Sequence, residues 1–278
     1  MENNPHSIHH PSAAGIHSPS GAGSVHAPAT PEALDAVYRS FLDALRLSSA
    51  HRANLVARGL SAIEIDRRLY RTVPGRTRCS IVSRLASKFT DEVLAAIPGF
   101  FYDSMNSRWS CSGTDGFFIP VRNATRQIVA LQIRLDNPGN QNPINRGDIA
   151  ECASRPAGRY VWFSSSKHGG SPIDPPIHFP GTDIDIHALR EIRVTEGCLK
   201  ADIATVLSNT YTIGLPSCGQ WKKFMESPDG LPGLPAVEKI CIAFDADARS
   251  NIGVAGHLMD FVKELMNIAG RDNGYTNE

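Results

Sequence analysis

Twice in the C-terminal third, a short apolar run ends on a carboxylate and gives way to a helical pattern. Ile192-Arg193-Val194-Thr195 runs into Glu196-Gly197, and Lys239 to Phe244 runs into Asp245-Ala246-Asp247. After the first, Leu199, Ile203, Val206 and Leu207 recur at helical spacing; after the second, Val254, Leu258, Phe261, Val262, Leu265 and Ile268 do so. A further run, Tyr211 to Leu215, lies between them. Parallel strands need a crossover, so strands alternating with helices predict βαβ units and an α/β fold. The expected architecture over residues 186–270 is a mostly parallel sheet flanked by helices, followed by a polar tail over 271–278.

Ligands of open α/β sheets gather beyond the carboxyl ends of the strands. If the two acid-ended strands are neighbours, Glu196, Asp245 and Asp247 converge on one edge. Two unit charges about 4 Å apart repel by about 4 kcal/mol at an effective dielectric near 20. A hard divalent cation removes that cost, and Mg²⁺ takes one or two carboxylates plus water and phosphate oxygens. It neutralises charge developing on a transferring phosphoryl group. Either motif alone is weak, because Asp also forms turns and caps helices. Matching strand-end positions for both strengthen the metal reading. Lys200 follows Glu196 at i+4 and is expected to reach a phosphate at this edge, to pair with Asp202, or to sit in solvent.

The first half reads differently. Residues 1–29 are rich in His, Pro, Ser, Gly and Ala, with five of the ten histidines and almost no large apolar side chains, so disorder is expected there. Thr30-Pro31-Glu32 carries the signals of a helix start. Further helices are expected after Ser49, after Ser61 (with Glu64 as a capping box) and from Thr90 to Ile97. Phe117 to Val121 and Ile128 to Ile133 flank a polar turn, which predicts a hairpin. A loop is expected over Asn137 to Asp148 and a short strand over Arg159 to Phe163. Residues 30–185 thus form a helical and β-hairpin subdomain ahead of the α/β domain.

Lys plus Arg equals Asp plus Glu at 28 each, so overall charge announces no nucleic-acid partner, and any such site must arise by local clustering. No apolar run is long enough to span a bilayer, and the start lacks a signal-peptide pattern. The six cysteines form no C-x-x-C pair, which argues against a zinc ribbon and for reduced thiols in a cytoplasmic protein.

Val194-Thr195-Glu196-Gly197 with Lys200-Ala201-Asp202, and Ile242 to Asp247 with Asn251, Gly253, Ala255 and Gly256, resemble the two motifs of Toprim domains. Upstream, Leu55 to Ser61 is similar to the RGLS helix start of the bacterial DnaG-type primase core. Gly116 to Val121, Gln127 to Arg134 and Gly158 to Ser165 are similar to later segments of that core, in the same order. The resemblance covers about residues 50–270. It implies a Toprim primase-like protein of DNA replication, also similar to replication proteins of phages and plasmids. By that resemblance Glu196, Asp245 and Asp247 are catalytic and bind Mg²⁺ or Mn²⁺. Arg134, Arg159 and Lys167 would contact a single-stranded DNA template or incoming nucleotides, with Tyr160 or Trp162 stacking on a base. A helicase or other replication protein is the implied partner. A Toprim sheet continues with another strand and further acids, whereas 271–278 shows no strand pattern. An incomplete or non-catalytic Toprim module is therefore the alternative, and a Toprim nuclease a third.

Overall fold

Four of the first five helices start on a hydroxyl side chain. In the computed structural model, which describes residues 28–138, 158–228, 230–245 and 250–272, α1 (Pro31–Asp43) is capped by Thr30, whose Oγ1 accepts from Ala33 N at 3.3 Å. Ser48 caps α2 (Ser49–Val56), Ser61 caps α3 (Ala62–Arg67) and Thr90 caps α5 (Asp91–Ala96) in the same way. Such caps satisfy amides the helix leaves free and stabilise by about 1 kcal/mol each. The expected capping box at Ser61 forms only by half. Ser61 Oγ accepts from Glu64 N, but the Glu64 carboxylate turns to Arg67 and Arg68. Among the elements without a sequence signal are α4 (Arg78–Ala86), whose Thr77 makes no cap bond, and the hairpin of β2 (Phe100–Asp103) and β3 (Arg108–Cys111).

The expected hairpin is β4 (Gly116–Arg122) and β5 (Ile128–Leu135). It is the centre of an antiparallel sheet ordered β1 (Arg71–Thr72), β4, β5, β6 (Tyr160–Trp162). All seven residues of β4 are buried, which explains why its sequence does not alternate with polar residues. On one face Phe118 packs with Phe41, Phe100 and Phe163 from the helical layer and beyond. On the other, Phe117, Ile119 and Val121 pack with Cys198 and Leu199 of α6 (Cys198–Ser208). Gly116 starts the strand at φ +151°, and a Cβ there would meet Arg134 O at 2.1 Å.

The α/β fold is present as read. β7 (Glu191–Glu196) is the middle strand of a parallel sheet, between β8 (Thr212–Leu215) and β9 (Lys239–Ala243). Helix α6 makes the crossover from β7 to β8, and α7 (Trp221–Glu226) and α8 (Ile252–Asp272) follow. Phe261 of α8 packs on Trp221 and Phe224, against Val194 and Ile213 of the sheet.

One buried charge cluster joins the two sheets through α6. Asp202 accepts from Tyr70 OH at 2.5 Å and Arg68 Nε at 3.1 Å, and lies 3.2 Å from His178 Nε2. Asp202, Arg68, Tyr70 and His178 are all fully buried. His178 Nδ1 accepts from the Arg122 amide at 3.2 Å, so Nε2 is the nitrogen that donates to Asp202. The His178 backbone pairs with Gly214 of β8, while Phe179 N donates to Arg122 O at the end of β4. Burial alone would raise the Asp202 carboxyl. The hydrogen bonds from His178 and Tyr70 and the Arg68 charge outweigh it and hold the group well below the usual carboxylate range.

Candidate functional site

β7 delivers Glu196 to the carboxyl edge of the sheet, and Asp245 lies two residues beyond the last residue of its neighbour β9. Thr195 pairs in register with Ala243, and its Oγ1 donates to Ala243 O at 2.7 Å, which fixes the two strand ends side by side. Gly197 turns the chain from β7 into α6 at φ +85°, a left-handed angle that favours glycine, and no atom lies within 4 Å of where its Cβ would be. Its amide donates to Leu215 O at 2.8 Å.

Glu196 and Asp245 have different partners. Glu196 Oε1 accepts from Cys218 N at 2.6 Å, in the turn after β8. Burial first, and then the Glu196 charge, push the Cys218 thiol up to about 11, so it is protonated at neutral pH and is no nucleophile. Asp245 pairs with Lys200, on the first turn of α6. Both side chains of that pair are about half exposed, at 44% and 54%, so water screens it strongly.

Opposite this edge stands the antiparallel sheet. A cavity of about 620 Å³ is lined on one side by Glu196, Gly197, Lys200 and Asp245, and on the other by Arg58, Gln132, Arg159, Tyr160 and Trp162. Of the residues expected to act, Glu196, Asp245, Arg159, Tyr160 and Lys200 therefore meet in one cleft. Arg134 does not line it: its guanidinium lies 5.8 Å from the Phe117 ring, and its buried Nε has no hydrogen-bond partner. Lys167 is exposed on a one-turn helix, Ser166–His168, and also lies outside the lining. Asp247 falls outside the described residues, as do 139–157, most of the expected 137–148 loop, and residues 1–27. Lys200 reaches Asp245 rather than Asp202, because Asp202 points into the buried cluster.

Two lining residues escaped the sequence reading as site residues. Arg58 sits in the RGLS stretch, held by Asn54 Oδ1 at 3.1 Å. Gln132 is a buried polar residue within a mostly apolar strand, and that break in pattern was its signal.

Carboxylate oxygens at an open edge are the donor type that hard cations such as Mg²⁺ take. Among the described residues, however, no three His, Cys, Asp or Glu side chains gather closely enough to hold a metal. The positive charge now beside Asp245 is the Lys200 ammonium.

The chain matches no protein-family model and no curated protein. Solved structures do match. The DnaG primase catalytic domain bound to ssDNA aligns with 78% of this chain and 62% of its own, at 14% identity and TM-score 0.51. The fold is similar to that of primase catalytic cores. The E. coli primase catalytic core aligns over 81% of this chain and 66% of that one, at 14% identity and TM-score 0.51. A DNA primase domain from Pseudomonas aeruginosa aligns over 82% and 66%, at 16% identity and TM-score 0.51. The chain spans a little under two thirds of the length of these primase structures. Among the described residues, no helix is long and apolar enough to cross a membrane.

Proposed function

We propose that this chain is a primase-like protein of DNA replication that joins nucleotides on a single-stranded DNA template. The observation that carries the reading is the cleft itself. Carboxylates from the ends of two parallel strands face Arg58, Arg159 and the aromatic rings of β6 across about 620 Å³. One wall suits a metal and phosphates, the other a nucleic-acid backbone and bases. The primase fold supports the assignment.

In this reading residues 186–270 are a Toprim domain, and 30–185 are the primase-like subdomain ahead of it. Glu196 and Asp245, with Asp247, would hold Mg²⁺ or Mn²⁺, which would neutralise the charge that develops as a 3′-hydroxyl joins an α-phosphate and pyrophosphate departs. Arg159 and Arg58 offer paired donors to phosphate oxygens. Tyr160 and Trp162 stack on bases. Lys200 leaves Asp245 for the nucleotide's phosphate. Arg134 and Lys167 act outside the cleft, along the path of the template. A helicase or other replication protein supplies the partner surface, in the cytoplasm and in the setting of a phage or plasmid.

The Lys200–Asp245 pair favours a second reading. An acid neutralised by a lysine needs no metal, as in a module that binds nucleic acid without chemistry. Primer synthesis on single-stranded DNA with labelled nucleotides separates the two. The enzyme reading predicts product that requires Mg²⁺ or Mn²⁺ and falls at least tenfold in Arg159→Ala. DNA binding with no product under any metal rejects it in favour of the module. Loss of the DNA itself, without added nucleotides, indicates a nuclease.

A further inference from the structure

Gln132 is 5% exposed, lines the cleft, and has a buried Oε1 with no hydrogen-bond partner among the described residues. A buried acceptor left without a donor is destabilising, and such groups are rare in folded proteins. Its neighbours contribute no hydrogen bond to that atom. On one side Gln132 pairs in register with Ile119, which is apolar. On the other it pairs with Trp162, a half-buried aromatic that also lines the cleft. Residues directly opposite on antiparallel strands share a face of the sheet, so the carboxamide and the indole stand side by side. Arg58 and Arg159 also line the cleft, and neither guanidinium donates to Oε1.

We infer that Gln132 and Trp162 form an adenine-reading subsite within the cleft. This rests on the nucleotide-binding reading above and names the base it selects. The indole gives a flat surface on which a purine stacks. The carboxamide offers one acceptor and one donor side by side. Adenine presents N6–H and N7 in the matching arrangement, whereas the same edge of guanine offers only acceptors. Adenine thus satisfies the orphaned Oε1 and uses Nε2 in the same plane. The base can belong to an incoming nucleotide or to the DNA strand, and the chemistry of recognition is shared.

Equilibrium binding separates these sources without needing catalysis. Affinities of the full chain are measured for ATP, GTP, CTP and UTP with Mg²⁺, and for short oligo-dA, oligo-dC and oligo-dT. The inference predicts about a tenfold preference for adenine in one of the two sets, and the set that shows it identifies the source. Gln132→Leu should flatten that preference to within about twofold while leaving the weaker bases bound as before. Trp162→Leu should weaken all bases together. Gln132→Asn, which keeps the amide on a shorter stem, should retain part of the preference and guards against reading a folding defect as a loss of selectivity. Equal affinity for all bases in the native chain, or an adenine preference unchanged in Gln132→Leu, overturns the subsite while leaving the nucleotidyl-transfer reading intact. Failure to bind either class of ligand overturns both.

Discussion

Two groups of carboxylates in this molecule behave as opposites. Asp202 is fully buried, yet it is surrounded by Arg68, Tyr70 and His178 and stays charged. Glu196 and Asp245 stand at an open edge, where one backbone amide and one screened lysine are their partners. Asp202 and Glu196 lie within a few residues of each other on the same β7–α6 unit, and Asp245 follows the neighbouring strand β9. A buried charge is tolerable only when every partner is in place, and it then fixes geometry. An exposed charge contributes little to stability and remains free to take a ligand. The contrast divides the labour of one segment. Asp202 fixes α6 between the two sheets, and Glu196 and Asp245 are left under-used at the cleft.

The sharpest way to break that division is Asp202→Ala. Removing the carboxylate leaves buried Arg68 with only the partly exposed Glu64 carboxylate and takes the acceptor from Tyr70 and His178, and a loss of about 3–5 kcal/mol of stability is expected by urea unfolding. A loss below about 1 kcal/mol would show that the cluster does not hold the sheets together. The same carboxylate gives the stability a pH dependence. Its folded-state value lies below the ordinary one, so the unfolded chain takes up the proton first as pH falls. Its contribution is therefore complete at neutral pH and is lost progressively below about pH 4. Acid unfolding curves of Asp202→Asn should lack that component. Tyr70→Phe removes one hydrogen bond to a charged acceptor and is expected to cost about 1.5–3 kcal/mol. Lys200→Met, by contrast, should change stability by less than about 1 kcal/mol, because the pair it breaks is exposed. A larger loss there would erase the distinction between the two groups.

The sequence announced the elements that obey simple periodicity. The strand–acid–helix units, the β4–β5 hairpin and the hydroxyl caps were legible because each rests on neighbours in the chain. The convergence of Glu196 and Asp245 followed from one assumption, that β7 and β9 are adjacent, and they are. What could not be read was long-range. Asp202 looked like a helix-surface acid beside Lys200, since nothing local says that Arg68 and Tyr70, more than 130 residues upstream, close over it. Arg134 was expected at the site by resemblance, whereas its neighbour on the same strand face, Gln132, lines the cleft. Helix α4 was missed because its first turn carries neither a capping bond nor an acid, and its large aliphatic residues are only Ile81, Val82 and Leu85.

The central claim is that the acids at the strand ends do metal-assisted chemistry on a nucleotide held against the opposite sheet. It is tested most directly by primer synthesis on single-stranded DNA with Mg²⁺ or Mn²⁺, comparing the native chain with Asp245→Asn. The account predicts product from the native chain and at least a hundredfold less from Asp245→Asn, with its unfolding midpoint in urea unchanged. Full primer synthesis by a folded Asp245→Asn protein would contradict it.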